Sequence, residues 1–234
     1  MGFKTPARTC EFYLNLLRLK YKHLIFDFDG VLVESNEIRF EGFQLLFRDY
    51  PVHQVEKLVQ FARLNGGLSR YEKIRYFFKE ILHESISADN INSLARQYSE
   101  LVKQKVINAE PVKGSLAFLS NYKNIYDFAV VSGSDQEELR DVCKARGIAL
   151  FFSEILGSPA SKESNISFLV SKTGWEKKAC LFIGDSINDF NAARAHGIDF
   201  IGRNSNLVKW GLIGNLTVVN DLSELHLYLR NGVS

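Results

Sequence analysis

The sequence predicts an α/β fold: a Rossmann-like parallel sheet core with a four-helix-type α-helical module inserted after the first strand. Three observations carry the prediction. Short, mostly apolar runs recur at residues 22–27, 127–132, 149–153, 179–184 and 198–202, as expected of strands buried on both faces. Helical patterns of suitable length separate the later runs, and parallel pairing needs such crossovers. Residues 36–108 carry apolar residues at helical spacing with no strand pattern among them.

In chain order, residues 1–21 form an N-terminal extension. Its apolar run Phe12 to Leu17 is followed by Arg18 and Lys20 without a small-residue cleavage site, so a helix ahead of the core is expected and a signal peptide is not. Leu24-Ile25-Phe26 is the heart of the first strand. The module follows over 36–108, with helical stripes such as Ile38, Phe43, Leu46 and Phe47, then Ile74, Phe77, Phe78 and Ile81. The chain crosses between the two parts near 33–36 and 109–113, where Pro111 ends helical continuity. The core is therefore 22–35 plus 109–234. Ser134-Asp135-Gln136-Glu137 has capping-box spacing, which starts a helix after the second strand and carries it to about Gly147. Asn191 to His196 is helical in composition and stops at Gly197.

The 234 residues are 46% hydrophobic and 24% charged, with a net charge of +2. Acids and bases are interspersed with no basic block, which argues against nucleic-acid and membrane-surface partners. No apolar stretch approaches the roughly 18 residues of a membrane span. Cys10, Cys143 and Cys180 are odd in number and lack metal-type spacing, so reduced thiols in a cytoplasmic protein are expected.

The most informative run is Asp27-Phe28-Asp29-Gly30, directly after the first strand. Side chains i and i+2 of a strand share a face, so both carboxylates can enter one pocket while Phe28 turns to the core. Two carboxylates about 4 Å apart repel by roughly 4 kcal/mol at an effective dielectric of about 20, so they need a cation, a shared proton or a separating loop. Taken alone, the run fits a solvated turn or a calcium loop equally well.

The other strand ends narrow the choice, because open parallel sheets bind ligands outside the carboxyl ends of their strands. The second strand ends in Ser132-Gly133-Ser134 and a later one in Gly184-Asp185-Ser186-Ile187-Asn188-Asp189; Lys162 stands in a polar stretch between them. Four acids, a hydroxyl and a lysine at one edge suit Mg²⁺ and a phosphoryl group. An acid beside that phosphoryl group can serve as its nucleophile.

With these four motifs in order over residues 22–204, the chain resembles the haloacid dehalogenase superfamily, in its helical-cap branch of phosphoglycolate phosphatase and β-phosphoglucomutase-like enzymes. The resemblance implies that Asp27 is the nucleophile and a Mg²⁺ ligand. Asp29 would be the general acid/base and offer its main-chain carbonyl to the metal. Ser132 would bind the transferring phosphoryl, and Lys162 would neutralise it and restrain Asp27. Asp185 would be a metal ligand, and Asp189 would hold a metal-bound water or orient the lysine. The prolines that commonly follow the lysine in relatives are missing here. Branches that cleave carbon–halogen or carbon–phosphorus bonds lack an acid at position 29, so a phosphate ester is implied. To begin as an acid, Asp29 needs a raised pKa, which burial under a closed cap would provide.

The cap residues 36–108 would select the substrate. Gly66-Gly67-Leu68-Ser69-Arg70 resembles a loop at the cap–core interface of β-phosphoglucomutases, whose arginine meets the distal anion of the substrate. Arg70 and Gly133 are thus the candidate substrate contacts, with Arg39 and Glu34 further candidates for the cleft. Trp175, Trp210 and Tyr76-Phe77-Phe78 read as packing residues, and His196 as a helix end. The expected function is a Mg²⁺-dependent phosphatase for a small phosphorylated metabolite, in a monomer or homodimer. A β-phosphoglucomutase-like mutase is the alternative, disfavoured because Arg39 stands where mutases carry a histidine. A non-catalytic phospho-ligand binder is the third reading.

Overall fold

Leu24, Ile25 and Phe26 have no exposed surface, and this continuous burial places β1 (His23–Phe26) at the centre of a parallel sheet. The computed structural model describes residues 19–229. Its other strands are β2 (Asp127–Asp135), β3 (Phe152–Ser158), β4 (Cys180–Gly184), β5 (Asp199–Arg203) and β6 (Val218–Val219), in the order β3-β2-β1-β4-β5-β6 with every pair parallel. Alternate residues of β1 enter opposite layers. Leu24, Phe26 and, beyond the strand, Phe28 join one apolar cluster, while Ile25 joins the other.

Between β1 and β2 lie α1 (Asn36–Leu46), α2 (Val52–Leu64), α3 (Arg70–Tyr76), α4 (Ala88–Asn108) and α5 (Ser115–Tyr122). The first four make the inserted helical module. Their apolar stripes meet in a core of Phe43, Phe47, Phe77, Tyr98 and Val102, continuous with one face of the sheet. Each such aromatic contributes on the order of 1.5–3 kcal/mol by leaving water. α3 begins at a capping box between Ser69 and Glu72 and passes into a π-helical turn over Phe77–Leu82. The end of α4 is closed from the core side: Arg146 Nη1 donates to the carbonyls of Val106, Ile107 and Ala109 at 3.0, 2.6 and 2.7 Å. After β2 come α6 (Gln136–Ala145), α7 (Lys162–Thr173) ahead of β4, and α8 (Ile187–Ala195) ahead of β5.

The structure corrects three local expectations. The third strand is 152–158 rather than 149–153, because Ala149–Phe151 form a 3-10 turn and Leu150 is exposed. The helix after β2 is capped by Asp135, whose carboxylate accepts the Glu137 and Glu138 amides at 3.1 Å, and not by Ser134. Tyr21, assigned to the extension, is fully buried and its hydroxyl donates to Asp199 at 2.6 Å. The helix expected before residue 19, with Cys10, lies outside the described residues. Cys143 and Cys180 are buried free thiols. Trp175 stacks on His23, Trp210 packs beside β5, and Tyr76 stacks on Phe61, as packing residues should. No described helix is long and apolar enough to cross a membrane.

Candidate active site at the carboxyl edge of the sheet

The first residue past β1 is Asp27, whose amide still donates to the Ile183 carbonyl at 2.9 Å, in continuation of the strand pairing. Its carboxylate is therefore held at the sheet edge by backbone. One oxygen accepts the Phe28 amide at 2.6 Å and the other accepts Lys162 Nζ at 2.7 Å. Lys162 is the first residue of α7, and the capping hydroxyl of Ser161 sets that start. The missing prolines do not displace it. The same ammonium also bonds Asp189, the third residue of α8, whose second oxygen accepts the Ser186 amide and hydroxyl at 3.0 and 2.7 Å. Both Asp189 oxygens are thus engaged in orienting the lysine and closing the helix start.

Carboxylate oxygens of Asp27, Asp185 and Asp189 lie within 4.8 Å of one another, and all three residues are buried. Burial, with the neighbouring Asp189 charge, pushes the Asp27 carboxyl up to about 8 against the opposing pull of Lys162. The same two causes raise Asp185 to about 6. Three buried acids facing one lysine are short of positive charge. An all-oxygen donor set of this kind fits a hard dication such as Mg²⁺. The Asp29 carboxylate lies outside this cluster.

Asp29 departs from expectation. Burial is the largest single influence and raises its carboxyl, but the Arg39 charge and the hydrogen bonds from Arg39, Ser134 and Ser35 together outweigh it. Its pKa is held below the ordinary carboxylate range, not above it. Arg39 Nε donates to Oδ1 at 2.9 Å, where the Ser35 hydroxyl also donates, and the Ser134 hydroxyl donates to Oδ2 at 2.6 Å. Ser35 is the last core residue before α1 and Arg39 lies within α1, so the docking of the helical module sets the charge on Asp29.

Arg39 reaches beyond Asp29 to Glu138 of α6, which also accepts Arg70 Nη1 at 2.6 Å. Arg70 donates to Ser99 as well and lies over the Tyr98 ring. Arg70 lines the cavity, yet its charge is matched by Glu138. Glu34 lies away from the cavity: it pairs with Arg203, which also donates to the Gly30 carbonyl at 3.2 Å.

Together these groups enclose a cavity of about 60 Å³ lined by Asp27, Asp29, Arg39, Arg70, Lys73, Ser132, Gly133 and Asp185, with Phe40, Phe43 and Leu68 on the module side. Ser132 is 1% exposed. Two glycines are dictated by contact. Gly30 has φ +72°, and a Cβ there would collide with Asp185 Oδ2 and Asn36 Nδ2. A Cβ on Gly133 would collide with the Gly67 carbonyl, so the glycine loop of the module is seated directly on the end of β2. Four participants escaped sequence reasoning: Asn36, which donates to Asp185 at 2.7 Å, Ser134, Glu138 and Lys73. Asn36, at the start of α1, had a weak signal in its place at the module boundary. Glu138 and Lys73 read as ordinary charged residues of surface helices.

Against known proteins, the profile of haloacid dehalogenase-like hydrolases matches residues 24–203. A phosphoglycolate phosphatase from Pasteurella multocida is 28% identical, over 78% of this chain and 85% of the relative. Pyrophosphatase PpaX from Listeria monocytogenes is 25% identical, over 75% and 79%. Among solved structures, the HAD-hydrolase YfnB from Bacillus subtilis, bound to magnesium, superposes with a TM-score of 0.66 at 18% identity, over 89% of this chain and 98% of that one.

Proposed function

The chain belongs to the haloacid dehalogenase-like hydrolase family, and from this membership we propose that it is a Mg²⁺-dependent phosphatase that cleaves a small phosphorylated metabolite through an aspartyl-phosphate on Asp27. The observation that carries the reading is the Lys162 ammonium bonded to both Asp27 and Asp189, with Asp27, Asp29 and Ser132 lining one cavity. Asp27, Asp185 and the Asp29 main-chain carbonyl would hold Mg²⁺, with Asp189 behind them. When bound, the ion supplies positive charge beside the phosphoryl oxygens and favours ionised Asp27. The magnesium in the YfnB structure supports the choice of metal.

In this reading an Asp27 carboxylate oxygen attacks phosphorus in line with the ester oxygen. The phosphorus–oxygen bond to the leaving group breaks as that oxygen takes a proton from Asp29. Water then attacks the aspartyl-phosphate and gives its proton to Asp29, and the bond to Asp27 breaks to release inorganic phosphate. The Ser132 hydroxyl and Lys162 meet the charge on the phosphoryl oxygens. Gly133 lets the module loop close over them. The Arg39 contact favours the ionised form of Asp29 needed in the second half. The first half needs the protonated form, so it draws on protein in which that contact has loosened.

Residues 36–108 act as the cap over a core of 22–35 and 109–234, behind the extension 1–21. The reading includes a cytoplasmic enzyme, monomeric or homodimeric, with no nucleic-acid or membrane partner. The names of the two relatives, a phosphoglycolate phosphatase and a pyrophosphatase, support a compact anionic substrate. The test is phosphate release from a panel of aryl and metabolite phosphates with Mg²⁺. Turnover is expected from the wild type and none from Asp27→Asn. No turnover across the panel sinks the reading. Interconversion of hexose phosphates that needs a bisphosphate activator would point to a mutase, and thermal stabilisation without turnover to a binding protein.

A further inference from the structure

Each buried cation around the cavity has an acidic counterpart except one. Asp29 and Glu138 match Arg39 and Arg70 one for one, and Lys162 lies between Asp27 and Asp189. Lys73 of α3 has no such partner. It lines the same cavity and is only 8% exposed, and among the described residues no carboxylate comes within ion-pair distance of its ammonium. The Phe43 ring centre lies 6.0 Å from its ammonium, too far for a strong cation–π contact to make up the loss. Arg39 adds a second open donor: Nη2 is buried and unpartnered among the described residues. A buried charge without a partner is costly and calls for a ligand to complete it.

We propose that Lys73, assisted by Arg39 Nη2, is a specificity-determining anion subsite for the leaving group, selecting phosphate esters whose departing part carries a carboxylate or a second phosphoryl group. The position supports the leaving side. Lys73 belongs to the helical module, opposite the strand ends that carry Asp27, Ser132 and Asp185. Among the charges acting on it, that of Asp29, the proton donor to the leaving oxygen, is the strongest. Burial, helped by Lys162, Arg39 and Arg70, lowers the ammonium to about 8, so an anion beside it relieves a penalty already present. Arg70, whose motif suggested this role, is already matched by Glu138.

The inference rests on the phosphatase reading, and its test separates the two. Wild type, Lys73→Met and Lys73→Arg are assayed with Mg²⁺ on 2-phosphoglycolate, on 2-hydroxyethyl phosphate, which replaces the carboxylate by a neutral hydroxymethyl group, and on pyrophosphate. Wild type should prefer at least one anionic substrate. Lys73→Met should lower kcat/KM for it by about 10- to 100-fold, mainly through KM, since a hydrogen bond to a charged group is of that size. The neutral ester should change less than threefold, and Lys73→Arg should restore part of the loss. Whether phosphoglycolate or pyrophosphate suffers more identifies the anion. An equal fall on all three substrates overturns the subsite, because Lys73 then serves the phosphoryl group or the fold. So does a wild type indifferent to the carboxylate and to pyrophosphate. If wild type turns over none of the three or the broader panel, the phosphatase reading fails, and thermal stabilisation by 2-phosphoglycolate decides the subsite. Stabilisation lost in Lys73→Met upholds it, and stabilisation absent or unchanged overturns it.

Discussion

Glu138→Gln tests how the helical module is held over the core. Glu138 belongs to the core helix α6 and its side chain is 2% exposed, while both of its partners, Arg39 and Arg70, belong to the module. Glutamine keeps the shape but removes the charge that faces two buried guanidinium groups. A hydrogen bond to a charged group contributes about 1.5–3 kcal/mol, and breaking a buried pair costs about 3–5 kcal/mol. A loss of about 3 kcal/mol is expected, a large share of the roughly 5–15 kcal/mol that stabilises a typical domain. Because the lost contact bridges module and core, kcat/KM should fall by at least about tenfold as the closed arrangement loses population. The pH dependence has a definite sign. The two arginines outweigh burial and hold the Glu138 carboxyl far below its ordinary value of 4.5. Its contribution is complete above about 4.5 and is lost as pH falls below that toward the depressed value. Denaturant unfolding at pH 7 and at pH 4, with steady-state kinetics, reads both effects. Glu138→Gln should be weaker at pH 7 and flatter toward acid. A variant within about 0.5 kcal/mol of wild type at pH 7, with the same acid sensitivity, refutes the reasoning.

Metal binding should be proton-linked. Asp27 is raised to about 8 and Asp185 to about 6 in the metal-free chain, so the folded protein holds protons there that the unfolded chain has lost, and its stability falls as pH rises from about 4 to 8. Thermal stabilisation by Mg²⁺ should therefore grow from pH 6 to pH 8, and a stabilisation independent of pH would contradict the assignment of these acids. Gly133→Ala forces its methyl into the Gly67 carbonyl and should raise KM by about tenfold or more with the core still folded; unchanged KM would show that the loop need not seat there. Asp29→Asn should lower turnover by about 10²- to 10⁴-fold while Mg²⁺ stabilisation persists, and near-normal turnover would remove Asp29 from proton transfer.

Much of the sheet edge was legible because its signals are local. Apolar runs such as Leu24 to Phe26 and Leu181 to Ile183 declare strands, and the acids that follow each run inherit their direction from the strand. The errors share a different cause. Ser134 and Asp135 both suit a helix start, and the choice fell to Asp135 because the Ser134 hydroxyl is taken by Asp29, 105 residues earlier. The third strand begins at Phe152, where pairing with Phe128 supplies the register that a short apolar run cannot specify.

By itself, the sequence determined the α/β class and the inserted helices, and it nominated Asp27, Asp29, Ser132, Lys162, Asp185 and Asp189 as candidates at the strand ends, because strand period, helix period and turn chemistry act over a few residues. Only the tertiary structure decided the charge states and partners. It holds Asp29 ionised where burial alone would keep it neutral, matches Arg70 to Glu138, and leaves Lys73 as the open cation of the cavity. The physical reason is that a pKa or an ion pair depends on distance and burial between groups far apart in the chain, as with Arg70 and Glu138, 68 residues apart. No local pattern carries those quantities.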